Sequence, residues 1–286
     1  MAGRAVLPLV LKGQAQSLRG LPKWSPQMVD WDTRQYLRFE KERTQACIDL
    51  VHRIDLSAPR TIVDLGCGPG NSTAVLKARW PAARITGVDN SSEMLERARS
   101  SDPSVEWVAA DIGDWHPREP ADLVFSNAAL QWLPDHFGLI PKLWSMVASG
   151  GALAFQLPAP GNQRTRWLGA LESLLEEPSW NRLIAGDRAQ ENVLSPSEYY
   201  DLLGKEALRV ELWDSEYCHV LPDATAVVEW VKGTALRPIL SQFSREEDRN
   251  QFLSAYAEEI RRAYPPQKNG HVLFPFLRRF LIAYRA

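Results

Sequence analysis

The stretch VDLGCGPGNST, residues 63–73, decides the fold. It follows a short apolar run and opens a segment of helical character. Asp64 stands just before three glycines, Gly66, Gly68 and Gly70, which are spaced GxGxG. Glycine lets the backbone turn sharply and approach a ligand that a side chain would obstruct. Because a dinucleotide-binding loop has the longer spacing GxGxxG, this stretch predicts a strand-to-helix turn for a ligand without a pyrophosphate.

Around this turn, short apolar runs alternate with helical stretches. The five predicted strands are 61–65, 84–89, 105–111, 122–126 and 151–157. Such alternation is typical of a parallel sheet with crossover helices. A helix predicted over 34–53 packs over the mouth of the first strand.

Beyond the fifth strand the pattern becomes mainly helical. Predicted helices are 167–175, 196–203, 224–232 and 245–264, and predicted strands are 208–220 and a closing strand within 276–286. We therefore expect an α/β fold. It is a Rossmann-like, seven-stranded, mainly parallel sheet with helices on both faces and a helical lid inserted after the fifth and sixth strands.

The chain divides into three segments. Residues 1–29 hold four basic residues and no acidic one, the charge pattern of a transit peptide. Their apolar run is too short for a signal sequence, and we expect a disordered leader instead. Residues 30–160 are predicted to form the Rossmann-like cofactor-binding core, and 161–286 the helical lid plus the closing strands of the same sheet.

Composition narrows the function classes. The formal net charge of -2 gives no electrostatic reason to expect nucleic acid or an anionic membrane as partner. The three cysteines lack any CxxC spacing, which argues against a disulfide framework or a metal site. We expect a cytoplasmic protein that uses no metal; the composition does not fix its oligomeric state.

Acidic residues follow two further predicted strands. Asp89 ends the second strand, where a carboxylate can accept hydrogen bonds from both hydroxyls of a ribose. Asp111 ends the third, and it could bond the amino group of an adenine while Ile112 packs on the ring. Asp111 alone fits a helix cap or turn equally well. Placement at successive strand ends favours an adenosine-containing ligand.

At these residues the chain resembles the class I S-adenosylmethionine-dependent methyltransferases. Further motifs resemble those of the trans-aconitate 2-methyltransferase family: WDTRQYLRFEKERT, RWPAARITGVDNSSEML, SNAALQWLPDH, GTALRPIL and FLRRFLIAYRA. The resemblance covers nearly the whole chain after the leader. It implies S-adenosylmethionine as cofactor and a small polycarboxylic acid, trans-aconitate, as substrate.

The resemblance also implies roles for single residues. Asp64 and the three glycines would hold the methionine end of the cofactor, Asp89 the ribose, and Asp111 with Ile112 the adenine. From the first helix, Tyr36 and Arg43 would close over the cofactor carboxylate. Asn127, just past the fourth strand, would line the methyl-transfer site.

The chemistry of the acceptor agrees with a carboxylate. A carboxylate with a pKa near 4 is ionised at neutral pH and needs no base, and the sequence has no obvious His/Asp pair. A polycarboxylate does need cations, and the guanidinium fork suits it. Arg237 and the pair Arg278–Arg279 are the candidates, with Arg164 and Arg166 behind them. Each alone is equally consistent with a solvated surface arginine.

Three other residues have two interpretations each. Trp132 could shield the transfer site from water or pack in the core, and we favour the shield. Cys67 fits a small loop residue better than a nucleophile. His136 fits the start of a helix better than a catalytic base.

Other functions stay open at this stage. The acceptor could be another small acid or a thioester-linked dicarboxylate, which an apolar pocket with few arginines would indicate. A nicotinamide-dependent oxidoreductase is disfavoured by the glycine spacing. A non-catalytic regulator that binds S-adenosylmethionine would have the same loop and carboxylates.

Overall fold

A single sheet organises the computed structural model, which describes residues 40–159, 166–182 and 193–286. Its strands are β1 (Thr61–Leu65), β2 (Arg84–Asp89), β3 (Glu106–Ala109), β4 (Ala121–Asn127), β5 (Val147–Pro158), β6 (Ala207–Leu221) and β7 (Val272–Arg285). Its α-helices are α1 (Glu40–Arg53), α2 (Asn71–Arg79), α3 (Ser92–Ser101), α4 (His136–Ser145), α5 (Arg166–Glu176), α6 (Pro178–Asn181), α7 (Pro196–Leu203), α8 (Ala224–Lys232), α9 (Arg237–Leu240) and α10 (Glu246–Ala263). A short 3₁₀ helix covers Leu130–Trp132. The expected leader, residues 1–29, lies outside the described residues.

The strands lie in the order β3-β2-β1-β4-β5-β7-β6. Strands β1 to β5 are mutually parallel, and β7 is antiparallel to both of its neighbours. The chain order reverses between β1 and β4, and open α/β sheets bind ligands at the carboxyl ends of the strands at such a reversal. The predicted seven-stranded, mainly parallel sheet is therefore confirmed.

Two helical layers cover the sheet because successive side chains of a strand point to opposite faces. Ile62, Phe125 and Phe280 face one layer, in which α1 and α2 pack. Leu153 and Leu281 face the other, which contains α4 and α7. We call these the α1 face and the α4 face.

The last two strands extend past the rest of the sheet. The final pair between β5 and β7 is Pro158 with Arg278, whereas β6 and β7 stay paired as far as Leu221 with Val272. Helices α5, α6 and α8–α10 form a second core around this extension, with Trp230, Phe252 and Phe274 at its centre. This helical cluster therefore lies beyond the carboxyl end of β5, and its helices follow the fifth and sixth strands in the chain.

Several strand ends differ from the predicted ones. The third strand stops at Ala109, because residues from Asp111 onward form a turn. The closing strand begins at Val272, before Pro275. Proline is tolerated there since β7 has a neighbour on only one side beyond Pro158, so no backbone donor is needed on the open side.

Among the described helices, none combines the length and the apolar character that a membrane crossing demands.

Candidate functional site

The glycine loop after β1 is tightly bound to the end of β2. The backbone N–H groups of Gly66 and Cys67 donate to the carbonyl of Val88 at 2.8 and 3.1 Å. Gly66 has a φ of +71°, and a Cβ there would lie 2.2 Å from the Cβ of Ala129. Glycine is therefore required at Gly66 by both conformation and close approach.

Gly68 differs from Gly66 in its surroundings. Its φ is +54°, but a Cβ at this position would meet no atom of the described residues within 4 Å. The space above Gly68 is thus open, and a ligand can approach the backbone there.

Asp64 lies beneath the loop and is fully buried. Ser72 and Thr73, at the start of α2, donate to its Oδ2 at 2.7 and 2.6 Å. Its Oδ1 is buried and has no hydrogen-bond partner in the described part of the chain. Burial raises the pKa of Asp64 to about 6, although the two hydroxyl hydrogen bonds oppose this shift. The arrangement suits a donor or a cation placed next to Oδ1.

Asp89 joins the loop to the end of β2. Its Oδ2 accepts from the N–H of Gly68 and its Oδ1 from the N–H of Ser91, both at 2.9 Å. Burial raises its pKa, and the backbone hydrogen bonds lower it. A carboxylate offers about four acceptor positions, so Asp89 can accept further hydrogen bonds from a ligand's hydroxyls.

Asp111 has the turn contacts that the sequence left open. Its Oδ1 accepts from the N–H of Gly113 at 2.7 Å, and its carbonyl accepts from the N–H of Trp115 at 2.9 Å. Ile112 is buried, and its Cδ1 lies 3.4 Å from the Cβ position of Gly66. The turn after β3 is therefore brought against the glycine loop, as expected for a site to which three successive strands lead.

Asn127 ends β4 and has a partner that sequence reasoning missed. It lies opposite Gln156 of β5, whose Nε2 donates to Asn127 Oδ1. Gln156 is fully buried, and its Oε1 has no hydrogen-bond partner among the described residues. A polar residue inside the apolar run GALAFQL was the available signal.

The segment after Asn127 contacts the glycine loop through Ala129. Ala128 has a φ of +54°, and its carbonyl accepts from Gln131 Nε2 at 2.7 Å. Trp132 ends the 3₁₀ helix with 36% of its surface exposed. This exposure argues against a core position, and the role of Trp132 as a shield stays a prediction.

Helix α1 begins at the carboxyl edge of the sheet and runs antiparallel to β6. Tyr217 OH donates to Asp49 at 2.6 Å, and Arg53 pairs with Glu211 at 2.9 Å. Because β6 runs from Glu211 towards the carboxyl edge, α1 runs the opposite way and begins at that edge. This places the backbone of Arg43 there. The side chain of Arg43 and the whole of Tyr36 lie outside the described residues.

The two adjacent arginines of β7 point to opposite faces. Arg279 lies on the α4 face, opposite Leu157. Its Nε and Nη2 donate to the two carboxylate oxygens of Asp214 at 2.9 and 2.8 Å, and its Nη1 donates to the carbonyl of Leu194 at 2.8 Å. Arg279 is thus separated from Asn127 by the sheet. Arg278 lies on the α1 face, as Gln156 and Asn127 do.

Two of the three remaining predicted arginines lie in or next to the helical cluster. Arg237 begins α9 and is half-buried. Arg166 begins α5 and donates to the carbonyl of Ala263 at 3.1 Å. Arg164 lies outside the described residues.

Two residues that could be mistaken for catalytic groups have structural surroundings. His136 begins α4, where its ring nitrogens bond Tyr199 OH at 2.6 Å and the Leu130 carbonyl at 2.9 Å. Burial lowers its pKa, which favours the neutral ring. Burial and the nearby carboxylates raise the pKa of the Cys67 thiol above its ordinary value, which favours the protonated thiol over the nucleophilic thiolate. In the described ranges, no group of three His, Cys, Asp or Glu side chains could hold a metal ion.

Comparison with known proteins identifies the family. Residues 62–151 match the family model described as a methyltransferase domain. The chain is 47% identical to the trans-aconitate 2-methyltransferase of Azoarcus sp. (strain BH72), in an alignment that covers 90% of this chain and all of that protein. It is 43% identical to the enzyme of the same name from Rhodopseudomonas palustris (strain BisB18), with 90% of this chain and 99% of that protein covered.

Solved structures agree on the fold. The YcgJ protein of Bacillus subtilis superposes with a TM-score of 0.55 at 15% identity, covering 84% of this chain and 98% of that one. A Haemonchus contortus phosphoethanolamine N-methyltransferase 2 in complex with S-adenosylhomocysteine superposes with a TM-score of 0.51 at 14% identity, covering 84% of this chain and 52% of that one. With the matched methyltransferase domain and relatives of this identity and coverage, the chain belongs to the trans-aconitate 2-methyltransferase family.

Proposed function

We propose that this protein transfers a methyl group from S-adenosylmethionine to a carboxylate of trans-aconitate, forming a methyl ester. The observation that carries the proposal is the arrangement of the glycine loop, Asp64 and Asp89 at the carboxyl edge of the sheet. It occurs in a chain whose relatives, 41–47% identical, are named trans-aconitate 2-methyltransferases.

The residues present fit this cofactor. The unpartnered Oδ1 of Asp64 suits the ammonium group at the methionine end, and the open space over Gly68 admits the ligand next to the backbone. Asp89 has acceptor capacity left for ribose hydroxyls. Asp111 and Ile112 would hold the adenine, and Gly66 and Gly70 shape the loop.

The transfer itself asks little acid–base chemistry of the protein. When bound, S-adenosylmethionine supplies a methyl group on a positively charged sulfur, which a carboxylate oxygen can take while the bonding electron pair returns to sulfur. The chain's residues must orient the carboxylate and exclude water. Asn127 would line the transfer site, and Trp132 would cover it. A carboxylate acceptor is already ionised at neutral pH and needs no histidine base.

The remaining assignments belong to the same proposal. Residues 30–160 would form the cofactor-binding core and 161–286 the helical lid plus closing strands, with 1–29 as a leader. Tyr36 and Arg43 would close over the cofactor, and Arg237 would bind substrate. The sequence predicts the same role for Arg279, but its guanidinium is bound by Asp214 and the Leu194 carbonyl on the α4 face, so we leave it out of the substrate site. The free cysteines suit a reducing compartment such as the cytoplasm. The small net charge disfavours nucleic-acid or membrane partners.

The experiment is methyl transfer from labelled S-adenosylmethionine to a panel of trans-aconitate, cis-aconitate, citrate, isocitrate and a malonyl thioester. Base-labile methyl ester formed preferentially on trans-aconitate is the expected result. Ester formed preferentially on another acid would overturn the substrate, and cofactor binding without turnover on any acid would indicate a regulator instead.

A matched pair of variants tests the cofactor site. Gly68 and Gly150 both have positive φ angles, and within the described part of the chain a Cβ at either would meet nothing within 4 Å. Replacing either by alanine should therefore cost a similar roughly 1–2 kcal/mol of stability through the backbone alone. Only Gly68→Ala should also weaken cofactor binding, because Gly150 lies at the amino-terminal end of β5. Equal binding by both variants would place the cofactor elsewhere.

A further inference from the structure

We propose that Arg278, and not its neighbour Arg279, binds a second carboxylate of the substrate and so sets a preference for polycarboxylates. The inference rests on the proposed function. It assigns to one buried guanidinium the recognition of substrate groups that do not react.

The sheet register places Arg278 close to the transfer site. Asn127 lies opposite Gln156, and Gln156 lies opposite Phe280. Arg278 precedes Phe280 by two residues and therefore lies on the same face of the sheet. Two strand spacings and one two-residue step separate the Cα atoms of Asn127 and Arg278 by about 12 Å. An arginine side chain and a small tricarboxylate together can fill such a gap.

Arg278 also lies on the side from which a substrate would enter. Its partner in β5 is Pro158, the last residue of that strand, so Arg278 is nearer the carboxyl edge than Gln156 is. Helix α1 begins at the same edge and packs on the same face through Asp49 and Tyr217. Arg278 thus lies on the face that α1 covers, two residues nearer the carboxyl edge than Gln156.

The surroundings of Arg278 favour recognition of an anion. The residue is only 4% exposed, and its guanidinium lies 4.7 Å from the centre of the Phe276 ring. Burial raises the pKa of Tyr217, and the nearby charge of Arg278 opposes that shift. A poorly hydrated guanidinium forms strong bidentate hydrogen bonds with a carboxylate. Arg278 also interacts with protein groups, so the substrate would use only part of its five donors.

Arg279 provides a matched control within the same strand. Both side chains are buried, but Arg279 is on the other face and is bound by Asp214 and the carbonyl of Leu194. Lysine keeps the charge of either residue and removes its fork. Arg278→Lys and Arg279→Lys should therefore both lower the stability of the fold slightly, while only Arg278→Lys should change substrate binding.

The test measures KM for trans-aconitate and for S-adenosylmethionine in the full-length wild type and both variants. Arg278→Lys should raise the KM for trans-aconitate roughly 10- to 100-fold, the range expected when a charged hydrogen bond is lost. Its KM for S-adenosylmethionine should stay within about 2-fold of the wild-type value. In Arg279→Lys, the KM values for trans-aconitate and for S-adenosylmethionine should both stay within about 2-fold of wild type. An unchanged KM for trans-aconitate in Arg278→Lys would overturn the inference.

A series of inhibitors separates recognition from a purely structural role. Propane-1,2,3-tricarboxylate, glutarate and butyrate carry three, two and one carboxylates on a similar chain. Wild type should bind them in that order, and Arg278→Gln should lose most of the discrimination while still binding cofactor. Equal losses for all three would indicate a structural role and contradict the inference. If wild type does not methylate trans-aconitate at all, it is the proposed function that fails, and the inhibitor series still reports on Arg278.

Discussion

Arg279 and Asp214 form a bidentate ion pair that links β7 to β6 on the α4 face. The two side chains are unequally buried, with 7% of the arginine and 33% of the aspartate exposed. Removing one partner leaves the other charge without compensation, and the penalty is greater for the charge that water cannot reach. We therefore expect Asp214→Asn to lower the free energy of unfolding by about 3 kcal/mol, and Arg279→Met by less.

Urea unfolding of the two variants checks this order. The activity of the correctly folded Arg279→Met protein then tests the role predicted from sequence. A KM for trans-aconitate close to that of wild type would leave the ion pair as the function of Arg279. A large rise in KM with unchanged stability would restore Arg279 as a substrate-binding residue.

The raised pKa of Asp64 predicts a pH dependence of stability. Its pKa is 3.8 as a reference value and about 6 in the fold, mainly because of burial. The folded state binds the proton more tightly, so the stabilisation is complete below about pH 4 and is lost as the pH rises through 6. The shift corresponds to roughly 3 kcal/mol. Wild type should lose about this much stability relative to Asp64→Asn between pH 3.5 and 7 in the absence of cofactor.

Cofactor affinity should have the opposite pH dependence. An ionised Asp64 would attract the ammonium group of S-adenosylmethionine, so wild-type affinity should increase as the pH rises through 6. Asp64→Asn should bind more weakly and show no such increase. Calorimetric titration at pH 5 and 7 checks both statements. Parallel pH profiles for the two proteins would mean that Asp64 does not contact the cofactor.

The approach of Gly66 to Ala129 predicts a rescue. Gly66→Ala would combine a φ of +71° with a Cβ contact of 2.2 Å. The contact should cost roughly 1–3 kcal/mol and the backbone conformation roughly 1–2 kcal/mol. Adding Ala129→Gly removes the clashing methyl group. The double variant should therefore recover the free energy lost through the contact, but not that lost through the backbone conformation. Unfolding free energies of both single variants and the double variant form the required cycle.

Local sequence determined those parts of the site that lie at the end of their own strand. Asp64, Asp89 and Asp111 each follow an apolar run bounded by turn residues, and residues 61–65 and 84–89 were predicted with their observed limits. The parallel order of the strands then brings their ends together. That inference needed only the local patterns and their alternation along the chain, not the pairing of particular residues.

Long-range pairing determined the rest. Whether Arg278 or Arg279 faces Asn127 depends on the register of β7 against β5, and a slip of one residue would exchange them. The contact between Gln156 and Asn127 likewise needs the pairing of two strands. The start of β5 was missed because Ser149, Gly150 and Gly151 are typical of a turn, yet they lie within the strand.

The buried amide of Gln156 makes a final prediction, in which stability and activity change in opposite directions. Its Nε2 donates to Asn127, while its Oε1 is buried without a partner among the described residues. An unsatisfied buried acceptor costs about 1–3 kcal/mol. Gln156→Met removes that acceptor at similar volume, so the variant should be as stable as wild type or more stable.

The same change should slow methyl transfer. The Oδ1 of Asn127 accepts a hydrogen bond from Gln156, and this bond fixes the orientation of the Asn127 amide. The Nδ2 of Asn127 would then be the group that donates to a substrate carboxylate. Without this hydrogen bond the amide can rotate, and kcat should fall roughly 10-fold or more, since small errors in placement have large effects on rate. Asn127→Ala serves as the matched control, and combining it with Gln156→Met should add little further loss. Additive losses in kcat would mean that Gln156 acts independently of Asn127, and a loss of stability in Gln156→Met would mean that its Oε1 has a partner in the folded protein.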